Sequence, residues 1–162
     1  MTKPPKPRAE SNSRPEFSGF MDLALEEARA AQARGEVPIG AVLVKDGEVI
    51  AADGNRTLEL DDPTAHAEML VIRAGGAALG SQRLSGCDLY VTLEPCAMCA
   101  GALAHARIRR LYFGAADPKG GAVEAGPQLY RWPTIHHRPE IYSGFCEADS
   151  AALLRGFFEA RR

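Results

Sequence analysis

Two short segments thirty residues apart limit what this chain can fold into: Pro63-Thr64-Ala65-His66-Ala67-Glu68 and Thr92-Leu93-Glu94-Pro95-Cys96-Ala97-Met98-Cys99. A Cys-x-x-Cys step at the start of a helix presents two sulfurs about one turn apart, which suits a tetrahedral zinc. The positive end of that helix lowers the thiol pKa and supplies thiolates near neutral pH. An imidazole from a second helix start completes three protein ligands, His66, Cys96 and Cys99, and leaves a fourth position open to water. The fold must therefore bring two helix starts to one point.

Glu68 follows His66 by two residues, and that spacing is informative. In mid-helix such residues point about 200° apart and cannot share a site. In the first turn both can face one cavity, and Thr64 is the expected N-cap that would place them there. Glu68 would then take a proton from water rather than bind metal. Taken alone, Cys96 and Cys99 also fit half of a structural zinc ribbon or a redox dithiol. The ribbon needs a second pair, and Cys87 and Cys146 lie far apart in other elements. A redox motif leaves His66 and Glu68 unexplained. Cys87 and Cys146 read as small buried hydrophobes, and His105 as a cap on the end of the Cys96 helix.

At 162 residues the chain is long enough for one domain with a real core and short for two. No apolar run is long enough to cross a bilayer. Residues 1–15 read as a disordered, basic, proline-rich tail, not a secretory signal, ahead of a domain over 16–162. The expected location is the cytoplasm, with the cysteines reduced. Net charge runs +3, −8 and +3 over residues 1–14, 15–100 and 101–162. Basic ends on an acidic body fit a phosphate backbone or an ordinary solvated surface, and charge does not choose between them.

Hydrophobic spacing predicts a helix over 17–34 ended by Gly35, with Phe17, Phe20, Met21 and Leu23 in its pattern. Strands over Ala41–Lys45 and Val49–Ala52 are joined at Asp46-Gly47, a hairpin turn signal. A helix from Thr64 or Ala65 is expected to stop at Gly75-Gly76. A strand over Leu89–Leu93 leads to Pro95, which stands where a helix can start without losing a bond, and a helix runs from Cys96 to Ala104. Arg110–Phe113 is a strand closed by Gly114, and Glu140–Ser143 a last short one. Residues 115–139 form a long Gly/Pro-rich loop of the kind that carries function. A final helix over 146–161 places Leu153, Leu154, Phe157 and Phe158 on one side. This order is α/β and points to one sheet with helices on both faces.

His-x-Glu followed by Pro-Cys-x-x-Cys is the signature of zinc-dependent nucleobase deaminases. Glu36 to Val44, Asp62 to Glu68, Leu89 to Ala102 and Arg107 to Gly114 resemble the bacterial tRNA-specific adenosine deaminases more closely still. The resemblance runs from Phe17 to Arg162 and implies a three-layer α/β/α, cytidine deaminase-like domain on one mixed, roughly five-stranded sheet. It implies one zinc per chain held by His66, Cys96 and Cys99, with Glu68 as proton shuttle and no organic cofactor. It also implies hydrolytic conversion of the wobble adenosine of a tRNA anticodon stem-loop to inosine, by a homodimer. Asn55 matches an asparagine that contacts the flipped nucleoside, with a turn residue as the other reading. Asp117 matches a loop acid near the target, with turn capping as its alternative. Residues 118–139 depart from the family pattern: His136-His137-Arg138 stands where Asn-His-Arg is common. Tyr130, Arg131 and Trp132 there are candidates to stack on anticodon bases, and Trp132 could equally pack against the body or a partner subunit. The alternative function is deamination of a free guanine or cytosine base or nucleotide.

Overall fold

The computed structural model describes residues 15–162, with side chains from residue 19 onward. The proline-rich tail expected over 1–15 lies outside the described residues except for Pro15, which opens the first helix. The elements are α1 (Pro15–Ala33), β1 (Gly40–Lys45), β2 (Glu48–Gly54), α2 (Ala67–Leu79), β3 (Cys87–Leu93), α3 (Ala97–Ala106), β4 (Arg110–Ala115), β5 (Glu140–Tyr142) and α4 (Glu147–Glu159). They build one five-stranded sheet in the order β2-β1-β3-β4-β5. The hairpin and the β1–β3 pair are antiparallel, while β3–β4 and β4–β5 are parallel. This is the mixed sheet and three-layer arrangement expected from the sequence.

Alternation along three neighbouring strands assigns each helix to a face. Ala41 and Leu43 of β1, Leu89 and Val91 of β3, and Leu111 and Phe113 of β4 pack with Ala67 and Val71 of α2 and Ala100 and Leu103 of α3. The intervening Val42, Val44, Tyr90 and Tyr112 pack with Met21 and Ala24 of α1, joined by the partly buried Phe145 and Cys146 that lead into α4. Both faces of the central strands are therefore apolar, as in sheets covered on two sides. Because β3 and β4 run parallel, the chain must cross back between them. The crossover helix is α3, and its start stands just past the carboxyl end of β3.

Several boundaries differ from the sequence reading. The start of α2 is Ala67, with His66 as its N-cap, not Thr64. Thr64 instead spends its N–H and its hydroxyl on Asp62. Nor does α2 stop at Gly75-Gly76. Gly75 is buried where a Cβ would strike the Leu43 side chain, so it permits close helix–sheet packing. The helix ends at Gly80, whose left-handed φ of 63° lets its N–H reach the Gly76 carbonyl. Pro95 precedes the N-cap Cys96 and is not itself helical. Strand β4 continues through Gly114 to Ala115. On α4, Phe157 is buried but Phe158 is half exposed, so the apolar face is narrower than expected. Cys87 is fully buried, whereas Cys146 is only partly so.

Among the described residues no helix is long and apolar enough to cross a membrane. The tightest helix–sheet approach is at Gly40, where a Cβ would overlap the Ala24 carbonyl oxygen and lie 2.6 Å from the Ala28 nitrogen. Both obstacles are backbone atoms that cannot swing aside. Gly40→Ala should therefore destabilise the fold by about 3 kcal/mol or more, beyond the usual overpacking range, read as a lowered urea midpoint. An unchanged midpoint would mean that α1 does not sit on β1 as described.

Candidate active site

The site is built where two helices begin. His66 and Cys96 are the N-cap residues of α2 and α3, with extended backbone at φ −71° in each. The two helices lie side by side on one face of the sheet, so both positive ends point at the same place. Cys99 stands one turn further along α3. His66 Nδ1 lies 3.6 Å from the Cys96 sulfur and 3.5 Å from the Cys99 sulfur. The three ligand atoms are all within 4.8 Å of one another. Zinc bonds of ordinary length at tetrahedral angles separate a sulfur and a nitrogen ligand by about 3.6 Å. The donor set and its spacing therefore fit zinc.

Glu68 is the second residue of α2, buried to 4% exposure, and its Oε2 accepts a hydrogen bond from the Cys99 thiol at 3.1 Å. The first-turn placement that the two-residue spacing required is thus present. His66 stands outside the helical backbone and Glu68 just inside it, so both side chains reach the cluster. Burial pushes the Glu68 carboxyl above its ordinary pKa. A carboxyl raised in this way is suited to take and return a proton near neutral pH.

The sulfurs are strongly coupled. A hydrogen bond from Cys99 draws Cys96 down to about 4, with His66 and the α3 amides adding to it. The same bond, with burial and the Glu68 charge, holds Cys99 well above an ordinary thiol. Hydrogen bonding to Cys96 also raises His66. The pair thus holds one thiolate readily, and a divalent cation bound there would supply the charge to draw off the second proton.

Asn55 is 5% exposed, and its Oδ1 accepts the Ala67 N–H at 2.8 Å. It caps α2 from outside, in the role expected of Thr64. Its amide nitrogen has no hydrogen-bonding partner among the described residues and is a donor still to be used. Asp117 closes a turn, Oδ1 accepting from Lys119 N and Gly120 N. Asp117 and Lys119 also line a cavity of about 880 Å³ with Val37, Leu93, Phe158 and Arg161. None of the four cluster residues lines that cavity, which lies on the Asp117 side of the site.

Tyr130 does not present a ring for stacking. It is 7% exposed and donates its hydroxyl to Ala100 O at 2.8 Å, which ties the 115–139 loop to α3. Trp132 is half exposed, with its ring nitrogen on Pro127 O, and Arg131 is exposed. His105 stands in the last turn of α3 beside His136, but the helix is closed by the left-handed Arg107 and its N–H.

Two buried carboxylates escaped the sequence reading. Glu36, 1% exposed, accepts the N–H groups of Leu58 and Glu59 and the hydroxyl of Thr57. Glu94, 2% exposed, accepts the N–H groups of Asp117, Val123, Glu124 and Ala125. The sequence signal was their company: each stands among apolar residues and near a proline, where a charge is costly unless it is hydrogen-bonded.

Residues 16–115 match the family model described as the cytidine and deoxycytidylate deaminase zinc-binding region. A relative from Agrobacterium fabrum named tRNA-specific adenosine deaminase is 63% identical over 147 residues, covering 91% of this chain and 97% of that one. A solved structure from work on A-to-I editing by tRNA:A34 deaminases at the wobble position superposes with a TM-score of 0.84 at 64% identity, covering 85% of this chain and 99% of the other. A guanine deaminase structure from Bacillus subtilis is 40% identical with a TM-score of 0.59, covering 60% of this chain and 63% of the other.

Because Asn55 holds the helix start that carries His66 and Glu68, Asn55→Ala should cost about 1–2 kcal/mol of stability and weaken metal retention. Thermal melts with and without a chelator would measure both. An unaltered melt and unaltered zinc retention would show that the cap contributes nothing.

Proposed function

The chain belongs to the cytidine and deoxycytidylate deaminase zinc-binding family, and from that premise we propose a hydrolytic deaminase that converts the wobble adenosine of a tRNA anticodon to inosine. The observation that carries this reading is 63% identity to a tRNA-specific adenosine deaminase over 91% of the chain. The guanine deaminase likenesses are weaker in identity, 40% over 60% of the chain in one structure and 26% over 86% in another, which favours tRNA over a free base.

The protein is a zinc enzyme, and His66, Cys96 and Cys99 are the residues that would hold one ion per chain. Zinc held there would supply Lewis acidity that makes a water more acidic near neutral pH. Glu68 accepts the proton of that water and delivers it to N1 of adenine as oxygen adds at C6. Glu68 then carries the remaining proton of the added hydroxyl to the exocyclic amine, the C6–N bond breaks, ammonia leaves, and the base is inosine's. Burial of Glu68 supports this dual use, because it favours the protonated form that the second transfer needs. Asn55 offers its unused amide N–H groups to the nucleoside, and Asp117 its loop position beside the cavity.

A base inside a stacked helix is out of reach, so the target is a splayed loop nucleotide in an anticodon arm. The working assembly is a homodimer, for which the exposed Leu58, Leu60 and Met98 supply apolar surface. A tRNA substrate supports a cytoplasmic location.

Sequencing tRNA after incubation with the enzyme should reveal inosine at one wobble position, and deamination of free guanine or cytosine alone would overturn the reading. Glu68→Ala should keep its zinc by metal analysis and lose turnover by at least ~10³-fold. Turnover near wild type would remove Glu68 from the proton path. His66→Ala should lower zinc content and activity together, and full zinc occupancy in that variant would contradict its assignment as a ligand.

A further inference from the structure

Glu94 is a buried charge that the proposed chemistry does not use. It sits two residues before Cys96, with its own N–H on Ala115 O at the end of β4. No lysine, arginine or histidine pairs with its carboxylate among the described residues. Its partners are four backbone N–H groups of one loop. Oε1 accepts from Asp117 at 3.1 Å. Oε2 accepts from Val123 at 3.1 Å and from Glu124 and Ala125 at 2.9 Å each. Successive N–H groups turned inward make an anion-binding concavity, and here the anion is the protein's own side chain.

The wrapping is tight. A Cβ on Gly121 would lie 2.5 Å from Glu94 Cδ and 2.5 Å from the Asp117 carbonyl. Ala122 N bonds Pro95 O at 2.9 Å, and Gly121 N bonds Asp117 O at 2.9 Å. Residues 117–125 are therefore closed around Glu94-Pro95, directly beside the ligand Cys96. Asp117 Oδ1 is spent on its turn, while Oδ2 has no partner among the described residues. Glu94 thereby fixes where Asp117 and Lys119 stand relative to the metal cluster.

We propose that Glu94 is a positioning residue for the substrate: by gripping residues 117 and 123–125 it holds Asp117 at the edge of its cavity, where the loop acid meets the tRNA. This rests on the tRNA deaminase reading, and it adds a determinant of substrate binding that lies outside the cluster.

Glu94→Gln separates the two grips. A glutamine offers one accepting oxygen and one donating NH2 group. With its oxygen turned to the three N–H groups of residues 123–125, its NH2 faces the Asp117 N–H, donor against donor. Only the Asp117 end of the loop is released. Steady-state kinetics on tRNA should show KM raised about tenfold, kcat within about threefold of wild type and zinc content unchanged, the pattern of lost substrate binding. In an Asp117→Ala background the same substitution should change KM by less than about twofold, because the group it positions is gone.

Gly121→Ala is the second probe. It crowds the same contact without altering charge and should also raise KM with zinc retained, whether or not the glutamine variant folds. An unchanged KM in both single variants would overturn the inference. So would a fall in kcat at constant KM, or full additivity with Asp117→Ala, since each marks a merely structural role. Wild-type turnover of tRNA is measured in the same series. Its absence would overturn the underlying reading, whereas normal wild-type turnover with unshifted variants overturns the inference alone.

Discussion

The site depends on two helix N-termini meeting at one point. Helix α3 starts there because β3 and β4 are parallel and the chain must cross between them. Helix α2 starts there because Ala67 and Val71 pack onto the same face of the sheet as Ala100 and Leu103. Unpaired N–H groups and aligned dipoles make each start electropositive. Brought together, they offset the negative charge of two sulfurs and one carboxylate in a place with little water. Their caps, His66 and Cys96, carry no side-chain cap bond of their own, which leaves both side chains available to a metal.

Such an arrangement needs caps from elsewhere, and the loops provide them. Asn55, at the end of β2, satisfies the first N–H of α2 through its side chain. Pro95 removes a donor just ahead of α3 and gives its carbonyl to Ala122. Beyond these, Glu36 and Glu94 each hold a loop by its backbone N–H groups. Irregular backbone near a buried site must find partners for its donors. A buried carboxylate with about four acceptor positions does this for several residues at once, at the cost of burying a charge.

Nearly all elements were legible in the sequence because their periodicity is local, and the convergence of His66, Cys96 and Cys99 because these residue types have few other uses together. Boundaries were not legible where tertiary packing overrules propensity. Gly75-Gly76 reads as a helix stop, yet Gly75 is the residue that lets α2 lie against Leu43. Thr64 reads as an N-cap, yet Asp62 captures it and Asn55, twelve residues before Ala67, does the capping. Tyr130 reads as a stacking ring, yet its hydroxyl bond to Ala100 commits it to packing. The Glu94 grip spans up to thirty-one residues of sequence, so no local window contains it.

Charge was the least legible property, for a physical reason. Arg138 bonds the carbonyls of Tyr130 and Trp132, Arg107 that of His136, and Arg34 that of Asn55. Arg109 is paired with Asp88, and Arg161 covers the Phe157 ring. These guanidinium groups tether backbone and aromatic surface, as their planar array of donors allows. Lys119 and Arg131, by contrast, carry no side-chain partner among the described residues, and both stand in the 115–139 loop. A count of basic residues therefore overstates the charge free to meet a phosphate backbone. Two of the free charges stand on the loop whose near end Glu94 grips, and Lys119 is only two residues past the gripped Asp117, so one buried side chain bears on where that charge is placed.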